Sequence, residues 1–170
     1  RAVGPRGAVV AQNESELLAP DVRDAWASRL ERSVMRNVEA IDGAYATPLP
    51  KGARDLDRVY VGAEYSVLVA VGVDRAAMNR AAYAALAPGG RYVVLDRVLP
   101  PAPDALEAHR EESAGARREI ESAGFAFESE GRFLRSSNDG RDWNAAPGAV
   151  PGAKPRLVAD WFLLSFAKKR

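Results

Sequence analysis

His109 is the only histidine among 170 residues, and there is no cysteine. An imidazole is the one side chain whose ordinary pKa lies near neutrality, so His109 is the natural general base of this chain. Its setting, Glu107-Ala-His-Arg-Glu-Glu112, equally suits a solvated surface residue. The lack of cysteine removes disulfides, thiolate metal sites and a cysteine nucleophile together, and a single histidine removes a multi-histidine zinc site, so no metal is expected. The other polar groups with chemical reach sit where apolar runs stop. They are Gln12-Asn13-Glu14, Asp42-Gly43, Gly62-Ala63-Glu64-Tyr65 and Asp96-Arg97. A carboxylate accepts hydrogen bonds with charge assistance, an amide oxygen without it, and a glycine lets a ligand approach the backbone. Each has a structural alternative that stays open: Asn and Asp-Gly favour turns, Gly62 can mark a simple strand end, and Asp96 can cap backbone or pair with Arg97.

The elements that must position these residues follow from periodicity. Apolar runs over 7–12, 34–41, 56–61 and 91–96 read as strands of a buried parallel sheet. Residues 21–32 place Val22, Ala25, Trp26 and Leu30 at helical spacing behind Pro20. Residues 74–86 read as a helix capped by Asp74, with Ala77, Met78, Ala81, Ala82 and Leu86 on its apolar stripe. After Pro100, Pro101 and Pro103, residues 106–123 read as a mixed-charge helix stopping at Gly124. Residues 125–133 and 156–168 read as strands joined by a long polar loop over 136–155, which makes them an antiparallel hairpin. In that loop Trp143 either lids a pocket or covers the hairpin, and covering gains more from burying the ring.

The stretch Ala84-Ala-Leu-Ala-Pro-Gly-Gly-Arg-Tyr-Val-Val-Leu-Asp96 ends a helix at a Pro-Gly-Gly turn and launches a strand closed by a carboxylate. It resembles the class I S-adenosylmethionine-dependent methyltransferases, whose fifth strand typically follows a Leu-x-Pro-Gly-Gly turn, and it looks most like their small-molecule branch. The resemblance implies an α/β, three-layer Rossmann-like fold, mostly parallel with an antiparallel carboxyl-terminal hairpin. It covers the whole chain as one domain, 1–170. The family's glycine-rich turn after its first strand has no counterpart here, so the chain reads as a part of the fold lacking that strand and that turn. The implied cofactor is S-adenosyl-L-methionine. On this resemblance Gln12 and Asn13 stand where an acidic residue usually accepts from the ribose hydroxyls, and Asp42 where a carboxylate accepts from the adenine amino group. The Gly43 amide stands where one meets an adenine ring nitrogen. Gly62 would let the cofactor close to the backbone, Glu64 and Tyr65 would face the reacting end, Asp96 the substrate, and His109 the proton to be removed.

Twenty-four Lys and Arg against 23 Asp and Glu leave no global field for nucleic acid or anionic lipid, which favours a small-molecule substrate. No window has the roughly 18 apolar residues of a membrane helix. A cytoplasmic setting is expected, with a leader not excluded because the sequence does not begin with Met. Two rivals remain: a non-catalytic binding or assembly module of the same fold, and a nicotinamide-dependent oxidoreductase, which needs a Gly-x-Gly-x-x-Gly turn that is missing. An open strand edge left by a missing first strand predicts association, such as a homodimer.

Overall fold

The computed structural model describes residues 3–4, 6–14, 16, 18–45, 47–62, 65–98, 112–139 and 159–169. The chain, expected as one domain, divides into two compact units, Arg1–Gly52 and Ala53–Arg170, with the described strands in two sheets.

In the first unit β1 (Val9–Asn13) and β2 (Val38–Asp42) pair in parallel, from Val9 opposite Val38 to Asn13 opposite Asp42. Parallel neighbours need a crossover, and α1 (Pro20–Leu30) supplies it. Pro20 opens the helix, where a missing N–H costs nothing. The expected apolar stripe is only half realised: Trp26 and Leu30 are half-buried, Val22 and Ala25 exposed, and no residue of α1 is buried. The strand expected from residue 34 begins at Val38, because Ser33–Met35 coils into a 3-10 turn with Arg36 N–H donating to the Ser33 carbonyl at 3.4 Å. Asn37 then anchors the pair, its Nδ2 donating to the Gly7 carbonyl at 2.7 Å and its own carbonyl accepting from Val9 N–H at 3.0 Å.

The second unit runs β3 (Leu56–Gly62), α2 (Tyr65–Ala70), α3 (Arg75–Ala85), β4 (Leu86–Arg97), α4 (Ser113–Ser122), β5 (Ala126–Gly131) and β6 (Trp161–Ala167). Its sheet is ordered β3-β4-β6-β5, with β3 and β4 parallel and β6 antiparallel to both β4 and β5. The terminal strand is thus inserted beside the strand that follows the Pro-Gly-Gly turn, as expected. Within the turn Gly89 has φ +78°, and a Cβ on Gly90 would lie 2.9 Å from the carbonyl oxygens of Ala87 and Leu56. Both glycines are required, one by conformation and one by space. Gly89 N–H donates to the Lys168 carbonyl at 3.0 Å, and Lys168 N–H to the Gly90 carbonyl at 2.9 Å.

Side chains alternate along β4. Tyr92, Val94, Asp96 and Val98 are buried, and their ladder partners Phe166, Leu164 and Phe162 are buried with them. This is the face that the helices cover. Phe125 stacks on Tyr92 and meets Tyr83 of α3 edge-on, each at 5.0 Å, while Arg117 of α4 lies 3.8 Å over Phe127. Met78, Ala82, Ala85, Ala116 and Ile120 complete the packing.

Further boundaries depart from expectation: Leu86, expected to close the helix, opens β4, whose bounds take in the Pro-Gly-Gly turn. The apolar run 66–72, read with no helix expected, lies mostly within α2. The helix expected over 106–123 begins at Ser113 behind an extended Glu112 (φ −80°, ψ 119°), with Gly124 at φ +105° after its end. The strand expected to reach residue 133 stops at Gly131, and Phe133 lies in an exposed turn. The terminal strand begins at Trp161. His109, Glu64, Trp143 and most of the 136–155 loop lie outside the described residues.

Candidate functional site

In each unit a parallel pair of strands ends at one edge, and Gln12, Asn13, Asp42 and Gly43 lie at one of these edges, Gly62, Tyr65 and Asp96 at the other. At the end of β1 and β2, Gln12 pairs with Ile41 and Asn13 with Asp42, so Gln12, Asn13, Asp42 and Gly43 are neighbours. The loop after β2 folds back over the end of β1: Gln12 Nε2 donates to the Gly43 carbonyl, Gly43 N–H donates to the Asn13 carbonyl at 3.0 Å, and Tyr45 N–H donates to the Glu14 carboxylate at 2.8 Å. The expected free Gly43 amide is therefore committed to the neighbouring strand. Gln12 keeps its carbonyl oxygen as an acceptor, with its amide nitrogen fixing the direction. Asp42 is exposed at the strand tip. Glu14, expected only as the residue one step beyond the strand, organises the loop.

At the end of β3 and β4, Gly62 pairs with Leu95, and Tyr65 opens α2 a few residues on. A Cβ on Gly62 would lie 2.6 Å from the Tyr60 ring, so the room left by this glycine is taken by its own strand neighbour. Asp96 is fully buried. Its Oδ2 accepts from Ser66 N–H at 2.6 Å and its Oδ1 from Arg97 N–H at 2.7 Å. Burial pushes its pKa up, and the backbone hydrogen bonds from Ser66 and Arg97 pull against that shift. A carboxylate 30 residues away in sequence thus supplies the acceptor that the first turn of α2 needs.

Tyr65 is equally sealed. Its hydroxyl accepts from Asn79 Nδ2 at 2.9 Å, and Asn79 Oδ1 accepts from the Tyr92 hydroxyl at 2.9 Å. Arg75 donates through Nη1 to the Tyr65 carbonyl at 3.1 Å, pairs with Glu119 at 2.6 Å and lies 4.3 Å over the Tyr65 ring. Burial raises the pKa of both tyrosines, so neither hydroxyl ionises near neutrality. The polar atoms of Tyr65 and Asp96, both expected at the reacting end, are spent on α2, α3 and β4, and both residues are closed to solvent. Sequence reasoning missed this network. Its one visible signal was Asn79, a polar residue beside Met78 and Ala82 on a buried helix face.

A second buried carboxylate, Asp160, accepts from Arg135 Nε at 2.8 Å and Nη2 at 3.1 Å and from Ser136 N–H at 2.9 Å. The Asp139 carboxylate accepts from Asp160 N–H at 2.7 Å, and the clasp holds the 132–139 turn to the start of β6. Among the described residues no group of three or more His, Asp or Glu side chains could hold a metal ion.

Neither a family model nor a curated protein matches the sequence. Solved structures do. A SAM-dependent methyltransferase from Aquifex aeolicus superposes with a TM-score of 0.63 over 97% of this chain and 71% of its own, at 11% identity. An S-adenosylmethionine-dependent methyltransferase from Mesorhizobium loti gives 0.58 over 94% and 80%, at 17% identity. This chain has the class I methyltransferase fold. The [4+2]-cyclase SpnF is also similar, with a TM-score of 0.62 over 95% of this chain and 66% of its own, at 13% identity. Within the methyltransferase fold, the two edges described above are the carboxyl ends of parallel strands, where open α/β sheets bind ligands. No helix among the described residues is long and apolar enough to cross a membrane.

Proposed function

We propose that the chain serves S-adenosylmethionine-dependent methyl transfer to a small organic acceptor, in line with the small-molecule branch that the sequence resembles. The fold carries the reading. The donor set at the end of β1 and β2 supports it, because Gln12 Oε1, the Asn13 side chain and the Asp42 carboxylate are acceptors of the kind that ribose hydroxyls and an adenine amino group require. These residues would hold the adenosyl half. When bound, the cofactor supplies a methyl group made electrophilic by its sulfonium. The chain's share is orientation and exclusion of water, with proton removal where the acceptor is a poor nucleophile. For that last task His109 is the residue proposed, and Glu64 is kept as a proposed cofactor-binding residue. Tyr65 and Asp96 act as positioning residues, holding α2 against the end of β4.

The second reading, a non-catalytic or differently catalytic member of the fold, is favoured by one observation. The Asp96 carboxylate and the Tyr65 hydroxyl, two of the groups expected at the reacting end, are buried in structural roles. The cyclase among the similar structures shows that likeness of fold does not fix the reaction.

Calorimetric titration with S-adenosylhomocysteine separates the readings. Micromolar binding that weakens about tenfold or more in Asp42→Ala supports the enzyme. No heat at millimolar ligand favours the module.

A further inference from the structure

We propose that Arg1–Gly52 opens and closes as one cooperative unit while Ala53–Arg170 stays folded, and that a ligand at the tip of β1 and β2 drives it closed; that this ligand is an adenosyl compound rests on the methyl-transfer reading. Not one described residue of the first unit is buried, whereas the second buries Leu68, Met78, Val94, Ile120, Phe162 and Phe166. The first unit's sheet has two strands of five residues each, a size that needs further strands or an apolar helix face to persist. Its helix offers little of that. α1 has 11 residues, short for a helix to hold in water by itself, and Ala19 gives its first turn no side-chain cap. Trp26 and Leu30 are its only half-buried positions.

What holds this unit is polar. At one end of the strand pair Asn37 Nδ2 donates to the Gly7 carbonyl at 2.7 Å and Val9 N–H to the Asn37 carbonyl at 3.0 Å. At the other end Gly43 N–H donates to the Asn13 carbonyl at 3.0 Å and Tyr45 N–H to the Glu14 carboxylate at 2.8 Å. Hydrogen bonds exchanged against water contribute little net, while the order they impose costs entropy at every residue. Among the described strands β1 and β2 pair only with each other, so their separation breaks no ladder of the second unit. These are the marks of a segment that unfolds below the global transition. The acceptors proposed for the ligand meet only in the closed state, where Gln12 stands opposite Ile41 and Asn13 opposite Asp42. A ligand held by them binds that state alone and raises its population, and its apparent affinity falls with the fraction of molecules that are open.

The test is native-state amide exchange in rising, sub-denaturing urea. The amides of β1, α1 and β2 are expected to share one opening constant, at least about a hundredfold larger than that of β4 and β6. Asn37→Ala is expected to raise it about fivefold and to leave β4 and β6 unchanged. Asp74→Ala, at the α3 cap, is expected to act on β4 and β6 alone. One opening constant across both units, or substitutions that move both units alike, overturns the proposal. S-adenosylhomocysteine is then added as probe. It is expected to slow exchange in β1, α1 and β2 as its concentration rises, and to bind Asn37→Ala more weakly, although Asn37 is five residues and about 16 Å of extended strand from Asp42. Binding that leaves exchange in β1 and β2 unchanged overturns the closing by ligand. If the probe does not bind while the first unit opens by itself, the opening stands, and the ligand's role and methyl transfer both fall. If it binds wild type and Asn37→Ala equally while the two units exchange as one, the opening falls and the methyl-transfer reading stands.

Discussion

Asp96 illustrates how a buried charge reports on itself through pH. Its folded-state pKa is raised, so above the ordinary carboxyl value of 3.8 the fold retains a proton that the unfolded chain has released. Stability from this group is therefore greatest on the acid side of that window and falls as pH rises through it. Asp96→Asn should flatten that dependence in urea unfolding series run between about pH 4 and 7. It should also lower stability by about 1–3 kcal/mol, because an amide accepts from only one of the two backbone N–H groups now satisfied. Asn79 is the other single residue on which much depends. Asn79→Leu strands the hydroxyls of Tyr65 and Tyr92 and should cost about 2–4 kcal/mol. Adding Tyr92→Phe should return part of that loss, a coupling that a double-mutant cycle in denaturant measures directly. Backbone capping by Asp96 stood among the sequence alternatives, but its partner Ser66, 30 residues away, was not legible, nor were the partners of Asn79, 13 and 14 residues away. Gln12, Asn13, Asp42 and Gly43 were legible as neighbours, because strand ends are marked by the polar residues that stop an apolar run.

Elements whose cause is local were read correctly, and those held from a distance were not. Asp74 accepts from Ala77 N–H at 2.9 Å, and α3 begins one residue later, as its cap and stripe dictate. Asp74→Ala should cost about 1 kcal/mol in thermal unfolding. The Pro-Gly-Gly turn is legible for the same reason, and its two glycines should respond differently. Gly89→Ala meets open space but a positive φ and should cost about 1–2 kcal/mol. Gly90→Ala drives a methyl group into backbone on two strands and should cost more, in the same assay. Residues 66–72 read as an apolar run of no fixed type, and residues 65–70 form α2. They are helical because Asp96 and Arg75 bind the backbone of α2, and neither contact has a sequence signature. The 3-10 turn at Ser33–Met35 likewise looked like strand, since Val and Met suit both.

Across the chain, apolar burial is uneven. Among the described residues every buried apolar side chain belongs to Ala53–Arg170, whereas Val3, Val10, Val22 and Val34 of the first unit are more than 40% exposed. Native-state hydrogen exchange should accordingly show β4 and β6 far better protected than β1 and β2. Light scattering should find self-association that grows with concentration; a monodisperse monomer with one sharp melt would contradict that expectation. One further consequence lies in the order of strands. Trp161–Ala167 fills the place between β4 and β5, yet it is synthesised after both. A nascent chain must carry β5 without a partner until that segment has cleared the ribosome, so the sheet closes late, and a stalled or prematurely stopped chain exposes two sticky strands to chaperones.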